Sequence, residues 1–296
     1  MNREYDVIII GGGPAGVTAS IYIRRAGFKV LLLDGIKKSS LQKAEKIENF
    51  YGFENPISGE ELYQNGINQA KRLGVDVIKK EVISIKYASS ISLEYQIITA
   101  NQGKDEDYKS KFVVLATGAN RNSPNIKGIK ELEGKGVSYC AVCDAPFFKG
   151  KNVAVLGSGE YAIGETEELL PIAKKVLMLT NGEKVIENRL PIDVNQYRIK
   201  EVRGDSKISE ILFENGSTTK IDGLFIAQGT ASSVDFAKKI GAKIENNNVY
   251  VNENMETTAP NVYACGDCTG GILQIAKATY EGMKAGFSII RRLREK

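Results

Sequence analysis

Three glycines in the spacing Gly11-x-Gly13-x-x-Gly16 stand between an apolar β-branched run at 5–10 and a helical stretch at 15–26 that Gly27 stops. A second apolar run at 29–33 follows and is closed by Asp34. Strand, glycine turn, helix and strand within about 30 residues make a βαβ unit. In such a unit Gly11 makes the tight turn, Gly13 lets a pyrophosphate approach the backbone, and Gly16 lets helix and strand pack closely. Pro14 and Ala15 open the helix, whose positive end meets the phosphate charge. Asp34 sits where a carboxylate accepts hydrogen bonds from a ribose and would repel a 2′-phosphate, so the ligand expected here is FAD or NAD and not NADP.

The pattern recurs. Residues 153–156 read as a strand, Gly157-Ser158-Gly159 as a turn, 160–170 as a helix and 176–179 as a strand. Two such units imply an α/β chain with two Rossmann-like domains. The apolar runs at 113–118 and 224–229 both end in glycine and bracket an inserted middle domain. It is placed at 116–240, with 1–115 and 241–296 forming a discontinuous first domain. A last helix is expected over about 270–293, with cations at its C-terminus.

Composition excludes several classes of partner. The chain has 296 residues, 42% hydrophobic and 26% charged, and a net charge of only +4. That balance does not suggest nucleic acid, though it is compatible with an acidic protein partner. No apolar run approaches the roughly 18 residues of a membrane span. With no signal peptide recognised at the N-terminus, a cytoplasmic location is expected.

There are four cysteines and no histidine. Histidine-based nucleophile schemes and metal sites are therefore out, and proton transfer falls to Asp, Glu, Lys, Tyr, Cys or water. Cys140-Ala141-Val142-Cys143-Asp144 places two sulfurs within disulfide reach in one turn, with a carboxyl beside the second. Asp144 is the natural acid/base. Cys265-Gly266-Asp267-Cys268 is a second C-x-x-C. Its spacing from the first is far longer than a zinc ribbon's, so no metal is expected. The plainer reading of Cys265 and Cys268 is small buried residues, with an oxidisable auxiliary pair as the alternative.

Taken in order, the glycine units, the segment Ser138-Tyr139-Cys140-Ala141-Val142-Cys143-Asp144-Ala145-Pro146-Phe147-Phe148 and the segment from Thr257 to Asp267 closely resemble the low-molecular-weight thioredoxin reductases. The resemblance covers nearly the whole chain. It implies the flavoprotein fold with two dinucleotide-binding domains of three-layer ββα type, bound FAD, a thioredoxin partner and a homodimer. It implies flavin contacts at Gly266 and Asp267, and likewise at Asn49, Ala116, Thr117, Gly118, Gln274 and Ile275. Tyr51 departs from a proline usual in the loop of Asn49. By the same resemblance Cys143 faces the flavin, Cys140 attacks the substrate disulfide and Asp144 handles the proton. A domain rotation hinged near Thr117 and Gln228 would alternate burial and exposure of the pair.

The second unit lacks what the family uses for NADPH. Residues 176–179 run into Thr180-Asn181-Gly182-Glu183 with no basic stretch, Glu183 lies far along the turn for a ribose acid, and Glu160 stands at the helix start. Residues 228–233 and 269–274 depart from the usual NADPH enzymes as well, with Leu273 where those have an arginine. This pattern resembles the ferredoxin-dependent flavin thioredoxin reductases of anaerobic bacteria. The expected activity is thus reduction of thioredoxin through FAD and Cys140/Cys143, with reduced ferredoxin as donor. Alternatives are an NAD(P)H-dependent thioredoxin reductase with an atypical site, an FAD-dependent dithiol oxidase using oxygen, or a flavin-binding sensor.

Overall fold

A computed structural model describes residues 4–89, 94–99, 106–118, 124–184, 190–229 and 231–295, without the side chains of Glu106, Val142 and Cys143. Thr230 lies outside the described residues. The chain divides into two compact units, Met1–Asn120 with Ser232–Lys296, and Arg121–Ala231.

The first unit opens with β1 (Glu4–Ile10), α1 (Pro14–Arg25) and β2 (Val30–Asp34). The alignment of β1 and β2 is parallel, from Val7 opposite Val30 to Ile10 opposite Leu33. Burial on both faces explains their unbroken apolar composition. Next come α2 (Gly59–Arg72), β3 (Asp76–Lys79), β4 (Val82–Ser89), β5 (Glu94–Thr99) and β6 (Glu106–Leu115). Ser58 caps α2 by accepting from the Glu61 N–H; Glu60 and Glu61 fill its first turn, and Lys71 and Arg72 its last. Each end thus carries the charge that the helix dipole favours.

The second unit comprises β7 (Val137–Ser138), the one-turn helix α3 (Ala141–Asp144), β8 (Asn152–Leu156), α4 (Glu160–Leu169) and β9 (Lys175–Leu179). It continues with β10 (Asp193–Asn195), β11 (Ile199–Gly204), β12 (Ile208–Phe213), β13 (Thr218–Lys220) and β14 (Gly223–Ile226). A parallel sheet runs β10-β9-β8-β14-β7, and an antiparallel sheet runs β11-β12-β13. Ala154, Leu156, Leu224 and Ile226 of the first sheet share a buried core with Val202, Ile211 and Phe213 of the second.

The chain returns to the first unit through α5 (Ser233–Lys239), β15 (Ile244–Glu245), β16 (Asn248–Val249), β17 (Val262–Ala264) and α6 (Ile275–Arg294). The order β3-β2-β1-β6-β5-β4 forms the large sheet, with β17 parallel to β6. Helices α1 and α6 cross closely, since a Cβ on Gly282 would come within 2.1 Å of the Ala15 carbonyl oxygen. Small residues at the crossing let the two backbones approach.

The observed division differs from the expected 116–240 insert at its far end. Helix α5 goes with the first unit, and a capping box of Ser232 and Asp235 starts it. That helix is then tied to β4, Tyr87 donating to the Ile240 carbonyl at 3.2 Å. The last helix also starts later than expected, at Ile275, because Gly270 and Gly271 take φ of 78° and 73° and hold 270–274 out of helical geometry. Among the described residues no helix is long and apolar enough to cross a membrane.

Candidate active site

At the first glycine turn Gly11 has φ 117°, and a Cβ there would meet the Ala116 carbonyl oxygen at 2.2 Å. A Cβ on Gly16 would lie 2.0 Å from the Gly11 oxygen, so neither position accepts a side chain. Gly13 has nothing within 4 Å of its would-be Cβ, and this open face is where a pyrophosphate fits. Helix α1 begins with Gly13 at its N-cap, no side chain capping it and no acid in its first turn. Its first N–H groups are not claimed by a cap and stand ready for an anion. A Cβ on Gly12 would meet Asp34 Oδ1 at 2.3 Å, which sets the carboxyl beside the turn. Tyr63 donates to Asp34 Oδ2 at 2.5 Å. Burial, and then that bond, hold the phenol protonated well above its usual range. The open cradle and the ribose acid both fit FAD, and Tyr63 is a partner that sequence reading missed.

The second expected flavin segment arrives from the far end of the chain. Cys265 N–H donates to the Leu115 carbonyl, which brings β17 and Gly266-Asp267 alongside Ala116. Gly266 takes φ 84°, and a Cβ there would press on the Ala15 Cβ at 2.9 Å. The turn is held by two side chains of α6. The Gly266 N–H donates to Glu281 Oε2 at 2.8 Å, and the Lys277 amine donates to the Gly266, Gly270 and Thr269 oxygens at 2.8, 2.6 and 2.8 Å. Lys277 and Glu281 pair at 3.0 Å. Burial raises the Asp267 carboxyl above its ordinary value, opposed by Lys277 and reinforced by Glu281. Asn49 Nδ2 donates to Gln274 Oε1 at 3.0 Å, joining two expected contacts 225 positions apart, and Ile275 opens α6 next to them. Tyr51 is 99% exposed. Thr117 and Ser233 form a clip, the Ser233 N–H donating to Thr117 Oγ1 at 2.7 Å and the Thr117 N–H to Ser233 Oγ at 3.1 Å. Gly118 follows with φ 85°.

Cys265 and Cys268 are free and fully buried. The Cys268 thiol donates to the Cys265 carbonyl at 3.3 Å. Burial pushes Cys268 up to about 11 and Cys265 well above its usual value. Both are therefore thiols at neutral pH, poor nucleophiles packed behind the Gly266 turn.

The other C-x-x-C differs. Cys140 is disulfide-bonded and 3% exposed; the side chain of Cys143 lies outside the described residues. Ser138, at the end of β7, accepts the Cys140 N–H at 3.1 Å and donates to Asp144 Oδ2 at 2.6 Å. One hydroxyl thus links the entry of the turn to the expected acid/base. From below, Glu165 of α4 accepts the Ala141 N–H at 2.6 Å. Ser138 was legible only as a neighbour in sequence, and Glu165 gave no local signal at all.

The second glycine turn shares the packing of the first but not its surroundings. A Cβ on Gly157 would meet the Ala227 oxygen at 2.3 Å and the Ala162 Cβ at 2.7 Å, so the tight turn is kept. Helix α4, however, carries Glu160 in its first turn. Glu183, expected to lie too far along its loop, is brought back and accepts the Ser158 hydroxyl. The intervening Asn181 and Gly182 both adopt positive φ, and this lets the chain double back. One arginine reaches this turn from farther along the chain. Arg198 packs on Gly182, its Nε 3.2 Å from a would-be Cβ. It comes from the loop before β11, 16 positions after Gly182, where strand spacing gave no pointer.

The comparisons agree with this architecture. Residues 5–282 match the family described as pyridine nucleotide-disulphide oxidoreductase. A thioredoxin reductase of Aquifex aeolicus (strain VF5) is 36% identical, over 97% of this chain and 93% of the relative. Among solved structures, an atypical thioredoxin reductase from Desulfovibrio vulgaris Hildenborough superimposes with a TM-score of 0.90 at 35% identity, covering 99% of both chains. A ferredoxin-flavin thioredoxin reductase from Clostridium acetobutylicum gives 0.73 at 29% identity, again over 99% of both. Thioredoxin reductases of this family are FAD-binding flavoproteins. With its paired glycine units, its Gly-Asp turn and its Cys140 disulfide, the chain belongs to the pyridine nucleotide-disulphide oxidoreductase family and, within it, to the thioredoxin reductases.

Proposed function

We propose that this reductase passes electrons from reduced ferredoxin through FAD and the Cys140/Cys143 pair to thioredoxin. The observation that carries the choice of donor is Glu160 in the first turn of α4, at the second glycine turn. A nicotinamide pyrophosphate approaching that turn would meet negative charge on the helix end that should attract it. The helix at the first glycine turn has no acid in its first turn, whereas Glu183 stands beside Ser158 much as Asp34 stands beside Gly12 and counts against a 2′-phosphate rather than against the pyrophosphate.

FAD, when bound, supplies a two-electron relay between donor and disulfide. Gly13 and the first N–H groups of α1 would hold its pyrophosphate, Asp34 a ribose, and the Gly266–Asp267 turn the ribityl region. In the reduced pair the Cys140 thiolate attacks one sulfur of the thioredoxin disulfide and forms a mixed disulfide. Asp144 delivers a proton to the thiolate released. Cys143 then attacks the Cys140 sulfur, which frees the second thioredoxin thiol and restores the enzyme disulfide. A thiolate must be exposed for the first step, whereas Cys140 is buried in the oxidised form, so a conformational change that exposes the sulfur belongs to the cycle. By family resemblance the enzyme acts as a homodimer, which light scattering at micromolar concentration tests.

A second reading, reduction by a nicotinamide nucleotide, is favoured by Arg198 beside Gly182. Anaerobic mixing with NADPH, NADH, reduced ferredoxin or a small dithiol, followed by flavin absorbance, separates the readings. Bleaching by ferredoxin within one turnover and not by NADPH is expected, with NADH the sharper control because Glu183 stands at the turn. Rapid bleaching by NADPH or NADH would overturn the donor assignment.

A further inference from the structure

The second βαβ unit keeps its tight glycine turn and its helix while carrying Glu160 at the helix start where a pyrophosphate would bind. Its helix has another use. Glu165 is only 1% exposed, and its Oε2 accepts the Ala141 N–H at 2.6 Å, one residue beyond Cys140. One turn earlier on the same helix, Tyr161 donates to the Tyr139 carbonyl at 3.5 Å. The close approach at Gly157 and Ala162 sets the depth of α4 against the sheet and so brings both side chains under residues 139–141. We propose that Glu165 is a positioning residue of the redox turn and sets the equilibrium between its disulfide and dithiol forms.

The physical reason has two parts. The carboxyl fixes the backbone of the turn by satisfying a buried N–H that would otherwise be costly. A negative group buried one residue from Cys140 also disfavours a thiolate there, because the interior screens it poorly. It therefore shifts the equilibrium towards the disulfide and makes the reduced pair the stronger reductant. The proposal rests on Cys140 being redox-active.

The test uses the FAD-loaded full chain equilibrated anaerobically with mixtures of reduced and oxidised dithiothreitol. In that exchange the enzyme disulfide gains two electrons and two protons as the reagent closes to its cyclic disulfide. Alkylation of the Cys140 peptide after acid quench counts the dithiol. Glu165→Gln, which keeps an acceptor but removes the charge, should favour the dithiol by roughly tenfold, a shift of about 30 mV. Glu168→Gln, the same charge loss one turn further along α4, should shift it less than about twofold. A shift below twofold for Glu165→Gln, or an equal one for Glu168→Gln, overturns the proposal. Should the Gln variant fail to fold, Glu165→Asp draws the acceptor back by one methylene and loosens the turn. Alkylation of reduced Cys140 by iodoacetamide should then accelerate about threefold or more, and an unchanged rate overturns the positioning role. Failure of the wild-type Cys140 to exchange with dithiothreitol at all would instead sink the redox reading on which the proposal stands.

Discussion

The two glycine turns of this chain start from the same backbone geometry and end with different surroundings. In both, a missing Cβ lets a strand end, a carbonyl and a helix pack together: Gly11 against Ala116, Gly157 against Ala227. The first turn then opens onto an uncapped helix end with no acid, next to Asp34 held by Tyr63. The second opens onto Glu160 and is crossed by the Ser158–Glu183 hydrogen bond, while the buried side of its helix is turned to the cysteine turn. Glycine spacing therefore establishes a fold unit, and the charges around it decide what the unit serves.

The contrast can be broken most severely in the second unit's chemistry. Asp144→Asn keeps a partner for Ser138 but removes the titratable carboxyl. Thioredoxin reduction should slow by about 10²–10⁴-fold, the range for a lost acid/base. Steady-state turnover at unchanged FAD content measures this, and turnover within a few-fold of wild type would return the proton step to water.

Making the first turn resemble the second comes next. Gly13→Asp has room for its side chain but sets an acid against the pyrophosphate, and should weaken FAD binding by about 100-fold or more. Flavin fluorescence titration of the apoprotein reads it. The reverse change, Glu160→Ala, should leave flavin affinity untouched; a matching loss there would mean that the two turns do not divide the labour as described.

The two cysteine pairs carry the comparison into stability. Cys268 is raised from the ordinary 9 to about 11 by burial, and Cys265 is raised as well. A group held protonated by the fold contributes stability that is complete below its unfolded value and is lost as pH rises through its folded value. Between pH 9 and 11 the wild type should lose roughly 3 kcal/mol more than Cys268→Ala. Urea unfolding at pH 8 and pH 11 tests the difference; equal losses would place the alkaline sensitivity in the buried tyrosines, whose phenols shift in the same direction.

The smallest effect sharpens the donor assignment. Arg198→Ala should change ferredoxin-driven flavin reduction by less than about twofold, as for an exposed side chain away from the chemistry. A tenfold loss with NADPH or NADH as donor would show that Arg198 completes a nucleotide site and would bring the second turn into line with the first.

What could be read from the sequence was whatever depends on neighbours in the chain. Gly11, Gly13 and Gly16 carry their βαβ unit in their own spacing, the spacing of Cys140 and Cys143 puts two sulfurs within reach in one turn, and the burial of Cys265 and Cys268 follows the ordinary tendency of free cysteine. Boundaries were less legible. The apolar run of β14 ends just before helix α5 and places that helix in the middle domain, and nothing local says that Tyr87 and Thr117 claim it. Likewise the sequence starts α6 too early, since Gly270 and Gly271 give no periodicity to read.

The chain by itself determined two dinucleotide folds and a cysteine turn with an adjacent acid, because each rests on contacts within some 30 residues. Only the tertiary structure decided which distant groups complete those motifs. Asn49 meets Gln274, Arg198 reaches Gly182, Glu183 folds back to Ser158, and Glu165 reaches Ala141 from another element. Each of these depends on how strands and helices stack. A side chain's partner across a sheet is fixed by register and packing depth, and no local spacing in the sequence encodes either.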